Sequence, residues 1–388
     1  MKKKLLVAID SLGSGGAEKS LINLLNFIDY NKVSVDLLLF GRGGINERFL
    51  PENVNILPVI SPLPKNNVFN NIVFLMKRLI YSLLLRVYPP HTANDDTRRQ
   101  WFFFSSDFPV QPQSYDVAFA YAQRMPSLYV AEKVKASKKY SWMNVTIHHS
   151  PKLQKYYNRF FRKFSKIICV SDAVRKSFID CYPHLSDQTE TIYDIINPQF
   201  IMNLSKLDCP VKKAHGTINI LTVARLNFEQ KGYDILIKVC NELKLRGTNF
   251  HWNILGEGKD KAEIESMISE FGLEKEVTLL GTVANPYPYF IHSDIYVQTS
   301  RYEGYGLSIA EARLLNIPIV TTPYDCVDLQ IKDGINGLIT TYEVFDIANA
   351  IERLIWNKKL YDDIVLNLQK EKKGNIDEFR KIQKIIGY

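Results

Sequence analysis

Paired cysteines are missing from this sequence. The five present (Cys169, Cys181, Cys209, Cys240 and Cys326) are odd in number and scattered, which excludes a disulfide framework and a spaced zinc site and leaves reduced, structural thiols. Long apolar runs are missing too. The most apolar stretch, Phe69 to Tyr88, is interrupted by Lys77, Arg78 and Arg86, short of the roughly 18–20 residues that a bilayer span requires. The basic start, Lys2-Lys3-Lys4, resembles a signal-peptide head, but its apolar run ends at Asp10 and a glycine loop, so it is expected to be a first core strand. No Asp-x-Asp pair stands at a strand end, which removes the usual seat for a divalent cation on a diphosphate, and no metal ligand is assigned. Acidic charge is in deficit: 49 Lys and Arg against 41 Asp and Glu give a formal charge of +8 and a pI of about 9.0, suited to an anionic partner.

What is present is alternation. Apolar, strand-like runs of about five residues alternate with helical patterns, the signature of parallel sheets covered by helices on both faces. One series covers Lys4–Ile9, Val33–Phe40, Val54–Leu57, Val117–Tyr121, Tyr140–Met143 and Lys166–Val170. A second covers Ile218–Val223, Trp252–Leu255, Val277–Leu280, Ile295–Gln298, Ile317–Thr321 and Gly337–Thr340. Ile196 to Phe200 and the polar stretch through Gly216 read as a linker. The fold class is α/β, with two doubly wound, Rossmann-like domains facing across a cleft, at 1–198 and 199–372, and a C-terminal helix at 373–388 that is expected to cross back to the first domain. The Pro-rich, aromatic segment 89–113 is expected to be an irregular loop or lid.

The most informative segment is Ser300-Arg301-Tyr302-Glu303-Gly304-Tyr305-Gly306-Leu307-Ser308-Ile309-Ala310-Glu311. Its glycines free the backbone for close approach, and helical periodicity begins at Leu307. The amides near Gly306, Leu307 and Ser308 are therefore expected to lack intrahelical partners and to favour an anion. Glu303 precedes the helix and Glu311 lies about one turn inside it, so a diphosphate held there has a carboxylate toward each end of a sugar nucleotide. Arg225 and Lys231 follow the first strand of the second series, where a bidentate guanidinium and a point charge suit phosphate oxygens. Further glycine turns follow strands at Gly13-Ser14-Gly15-Gly16 and Gly256-Glu257-Gly258; the first fits neither the dinucleotide fingerprint nor a P-loop.

These motifs resemble the retaining GT-B glycosyltransferases of family 4 (glycosyl transferases group 1), specifically over the second domain and only generally over the first. The resemblance implies that Glu311 holds the donor ribose. Arg225, Lys231 and the Gly304 to Ser308 turn, including Tyr305, hold its diphosphate, with Gly15 and Gly16 in the loop facing it; Gly256 is assigned to the same donor site as a close-approach turn. It places the nucleotide base near Val283 and sets Glu303 beneath the donor sugar. Relatives carry a catalytic His in a Trp-x-His element; the matching position here is Asn144, with His148 and His149 shortly after as alternatives. The implied reaction moves a hexose or N-acetylhexosamine from a UDP- or GDP-linked donor to a saccharide or polyprenyl-linked acceptor, with no cofactor and without metal. A sugar-nucleotide epimerase of similar fold and a non-catalytic glycan-binding subunit are the rival readings.

Two segments point to peripheral contact with an anionic membrane, and thus to a cytoplasmic protein at its inner face. Lys155 to Lys166 interleaves five bases with five aromatics, and Phe69 to Tyr88 is apolar with basic interruptions. Nucleic acid is not an expected partner, because no recognition motif accompanies the charge.

Overall fold

Burial alternates along the central strands as a sheet covered on both faces requires. In the second half, Ile220, Trp252, Ile254, Ile295 and Val297 enter one core cluster, and their neighbours Leu221, Leu255 and Tyr296 enter the other. The structure, a computed structural model, describes residues 2–63, 68–211 and 216–388. Two units result, one of Met1–Asp194 with Asp377–Tyr388 and one of Ile195–Ile376.

The first unit runs β1 (Lys3–Ile9), α1 (Gly16–Leu25), β2 (Val33–Leu39), β3 (Val54–Ile56), α2 (Val68–Val87), α3 (Ala93–Phe104), β4 (Ser114–Ala120), α4 (Met125–Lys133), β5 (Lys135–Met143), α5 (Pro151–Phe161), β6 (Lys166–Cys169), α6 (Asp172–Cys181) and β7 (Thr189–Thr191). Its sheet has the order β3-β2-β1-β4-β5-β6-β7, every pair parallel. The second unit runs α7 (Pro198–Ser205), β8 (Ile218–Val223), α8 (Phe228–Lys231), α9 (Tyr233–Leu245), β9 (Phe250–Leu255), α10 (Lys261–Glu270), β10 (Val277–Gly281), α11 (Tyr287–Ile291), β11 (Ile295–Gln298), α12 (Leu307–Leu314), β12 (Ile319–Thr321), β13 (Leu338–Ile339), α13 (Val344–Trp356) and α14 (Lys358–Lys370). Its parallel sheet has the order β10-β9-β8-β11-β12-β13. The last helix, α15 (Ile376–Ile386), belongs almost wholly to the first unit. There Phe379 stacks on Phe27 at 4.9 Å and Glu378 accepts a bond from the Tyr193 amide.

In each sheet the strand order reverses once, between β1 and β4 and between β8 and β11. Connections leave in opposite directions at such a point, so a crevice opens at the carboxyl ends of the two strands. The glycine turn follows β1 and Arg124 follows β4; Arg225 follows β8 and Glu303 follows β11.

Two expectations need correction. The segment 89–113 is not an irregular loop, since its middle is α3, 12 residues long, continued by a 3-10 turn at Ser105–Asp107. The Thr92 hydroxyl caps that helix by accepting from the Asp95 amide, Asp95 and Asp96 favour its positive end, and Trp101 and Phe104 anchor it in the core. The stretch after Ile196 is likewise helix rather than linker, because Asn197 caps α7 and Pro198 occupies its first turn. The remainder of the expected linker includes residues 212–215, which lie outside the described residues.

Candidate functional site

The second unit's site is built around Glu303. Its Oε1 accepts three hydrogen bonds: from Lys231 Nζ at 2.6 Å, Gln298 Nε2 at 2.8 Å and Ser300 Oγ at 2.6 Å. Oε2 takes none from any described residue, so one carboxylate oxygen is anchored and the other is left over. Gln298 is itself oriented by Tyr296, whose hydroxyl donates to its Oε1 at 2.8 Å. The Lys231 and Glu303 side chains are 14% and 7% exposed, shielded enough that their attraction is little screened. Lys231, expected as a free phosphate ligand, is therefore the ion-pair partner of Glu303.

The two loops at the switch point are laced together. Thr299 Oγ1 donates to the Lys231 carbonyl, the Arg301 amide donates to the Gln230 carbonyl, and Arg301 pairs with Asp234 at 2.7 Å. Gly232 has φ +64°, and a Cβ there would lie 2.2 Å from the Thr299 carbonyl oxygen, so only glycine lets these loops meet. Arg225 is exposed and joins the assembly through Gln230, which accepts from it at 3.2 Å and donates to the Tyr302 carbonyl.

The turn Gly304-Tyr305-Gly306 then enters α12. Gly306, at φ +86°, is its N-cap, and a Cβ there would lie 2.9 Å from the Tyr324 hydroxyl. As at any helix start, the first amides, Leu307 and Ser308 among them, have no carbonyl four residues back. The Ser308 side chain donates to the Val223 carbonyl at 2.8 Å and ties the helix start to the end of β8. Behind the turn, the Tyr324 hydroxyl and Gln330 Oε1 are buried without a hydrogen-bond partner. Glu311 is 1% exposed, and its Oε1 accepts from the Tyr287 hydroxyl at 3.0 Å. Gly256, at φ +149°, owes its identity to packing, since a Cβ would lie 1.9 Å from the Ala224 carbonyl oxygen. Val283 is half-buried on the core cluster beneath α12.

In the first unit, Asn144 stands at the carboxyl end of β5. Its amide nitrogen donates to the Tyr121 carbonyl and its backbone N–H to Gln123 Oε1, whereas its Oδ1 is buried without a partner. His148 is exposed. His149 is a core residue, which corrects its candidacy for catalysis: it stacks on Tyr157 at 4.9 Å, its Nδ1 lies 2.5 Å from the Tyr182 hydroxyl, and burial lowers its pKa to about 4. Gly15 caps α1, but the turn is not bare, because a Cβ on Gly15 would lie 2.3 Å from Glu18 Oε2. Nearby burial pushes Asp10 up to about 6 and Asp194 up to about 7.

Sequence reasoning missed the supports. Gln298 reads in sequence only as the end of a strand and Ser300 only as the start of the glycine-turn segment. Tyr287 and Gln330 carry no signal because their partners Glu311 and Tyr305 lie 24 and 25 residues away, and Gln230 and Tyr296 carry none because nothing local shows which way their side chains turn. Among the described residues, no group of three or more His, Cys, Asp or Glu gathers so as to hold a metal ion.

Two doubly wound units of this kind define the GT-B fold. Anabaena HepE, solved with UDP and glucose, superposes with a TM-score of 0.72 over 99% of both chains at 19% identity, and S. aureus TarM with 0.69 over the full length of both at 15%. Residues 209–371, nearly all of the second unit, match the family Glycosyl transferases group 1. Curated relatives include a poly(ribitol-phosphate) alpha-N-acetylglucosaminyltransferase of Staphylococcus aureus, 29% identical over 58% of this chain and 45% of that protein. An alpha-D-kanosaminyltransferase of Streptomyces kanamyceticus is 30% identical over 38% and 39%. The chain thus spans half or less of the curated relatives it matches.

Proposed function

We propose that this protein is a retaining glycosyltransferase that moves a hexosyl or N-acetylhexosaminyl unit from a nucleotide sugar to a saccharide or lipid-linked acceptor in cell-surface polysaccharide synthesis. The observation that carries the reading is the one-sided anchoring of Glu303. With Oε1 fixed by Lys231, Gln298 and Ser300, Oε2 is the oxygen offered to the donor sugar, and an immobilised negative charge there stabilises the positive charge that develops at the anomeric carbon. The diphosphate lies on the first amides of α12, with the exposed Arg225 guanidinium, tied at one nitrogen to Gln230, beside it. Lys231 serves both anions from between them. Glu311, oriented by Tyr287, holds the ribose hydroxyls.

The bond from the anomeric carbon to the phosphate oxygen breaks and the bond to the acceptor oxygen forms on the same face. The departing phosphate oxygen takes the acceptor's proton, so no separate base is required. A UDP-linked donor is favoured, since HepE was solved with UDP-glucose. No metal takes part in this reading.

The test is a panel of UDP- and GDP-sugars, followed by nucleoside diphosphate release and the anomeric configuration of the product. Glu303→Gln should slow single-turnover transfer by about 100-fold or more while donor affinity changes little. An unchanged rate in that variant, an isomerised donor without transfer, or an inverted product would sink the proposal.

A further inference from the structure

We propose that the outer face of α2 seats the first unit on an anionic bilayer leaflet, with the helix lying flat in the headgroup boundary. The helix has two distinct faces. On the inner one Phe74 and Tyr81 pack edge-on against Phe104 at 5.9 and 5.5 Å, and Lys77 pairs with Asp107 at 2.8 Å, so the element is fixed to the fold. On the outer one Ile72, Leu75, Met76, Leu79, Leu83 and Val87 recur at helical spacing and are each 51–65% exposed. Single exposed aliphatics are ordinary, but a continuous stripe along about 23 Å of helix is not.

Charge selects the occupant. The 20 residues of α2 hold three bases and no acid, and Arg78 and Arg86 are exposed beside the stripe. The whole first unit holds 29 Lys and Arg against 18 Asp and Glu, a net +11, whereas the second unit, with 20 against 23, is at −3. A second copy on this face would bring two units of +11 together. An anionic leaflet instead takes the aliphatics into its acyl boundary and pairs its headgroups with arginines whose stems lie along the apolar face. Among the described residues no helix is long and apolar enough to cross a membrane, which fits a helix that lies on the surface.

The experiment uses the full chain with vesicles of equal parts phosphatidylglycerol and phosphatidylcholine, and with phosphatidylcholine alone. The wild type should sediment with the anionic vesicles, and the triple variant Leu75→Ser, Leu79→Ser, Leu83→Ser should lose at least tenfold in partitioning with unchanged circular dichroism. In Leu79→Trp, brominated acyl chains should quench the new fluorophore. Equal partitioning of wild type and triple variant overturns the proposal, and so does failure of the wild type to bind anionic vesicles. A wild-type dimer that the triple variant converts to monomer, without vesicle binding, overturns it in favour of a second copy. These readouts do not depend on glycosyl transfer, so either proposal can fail alone.

Discussion

Helices α2 and α5 are composed alike, of large apolar and aromatic residues punctuated by Lys and Arg, yet the fold treats them in opposite ways. In α5 the side chains of Leu153, Tyr157, Phe160 and Phe161 are buried, and Arg159 lies over the rings of Tyr156 and Phe160 at 4.7 and 4.5 Å. Its aromatics are core and its bases a solvated rim, which corrects the expectation that this segment's aromatics meet a membrane. In α2 only a narrow stripe is covered and the aliphatics face outward. The two differ in the phase of their apolar residues: those of α5 fall on one face, whereas those of α2 encircle the helix, and a single packing partner cannot cover them all.

Four measurements put this contrast at risk. Phe160→Ala should remove about 3–5 kcal/mol of stability, because it empties a fully buried ring site, and chemical denaturation of the first unit reads it directly. A loss below about 1 kcal/mol would show that α5 is not core.

His149, stacked on Tyr157 of α5, supplies the next largest effect. Its pKa is lowered from 6.5 to about 4, chiefly by burial, with the neighbouring His148 adding to the shift. The unfolded chain therefore binds the proton first: stability from this group is complete above about pH 6.5 and drains away as pH falls toward 4, by up to about 3 kcal/mol. Asp10 and Asp194, with raised pKa values, act in the opposite sense as pH rises, so the measurement is the difference between wild type and His149→Gln across pH 4–7. Parallel profiles would place the imidazole in solvent.

Arg159→Gln should cost about 0.5–1 kcal/mol, the worth of an exposed cation on aromatic rings. Leu79→Ser on the outer face of α2 should leave stability within about 0.5 kcal/mol of wild type. A loss of 2 kcal/mol there would mean that the stripe is covered within this chain.

The site divides along the same line. Glu303, Gly304, Gly306 and Glu311 were legible because the turn, the helix start and both carboxylates are contiguous. The anchoring of Glu303 was not, because Lys231 approaches from 72 residues away and no local pattern records that meeting. Asn144 was legible as the residue at a strand end, but not the unpartnered state of its Oδ1. The histidines could not be separated in sequence; only packing shows that His149 is enclosed and His148 is not.

Alternating strand and helix periods, and the glycines that let strands turn into helices, determined the two parallel α/β sheets, since these signals act between near neighbours in the chain. Tertiary structure alone decided which face of each helix is covered, which residues fix Glu303 and where positive charge gathers. Those outcomes depend on distant segments meeting at the switch points of the sheets and on the limited area that any one helix can bury.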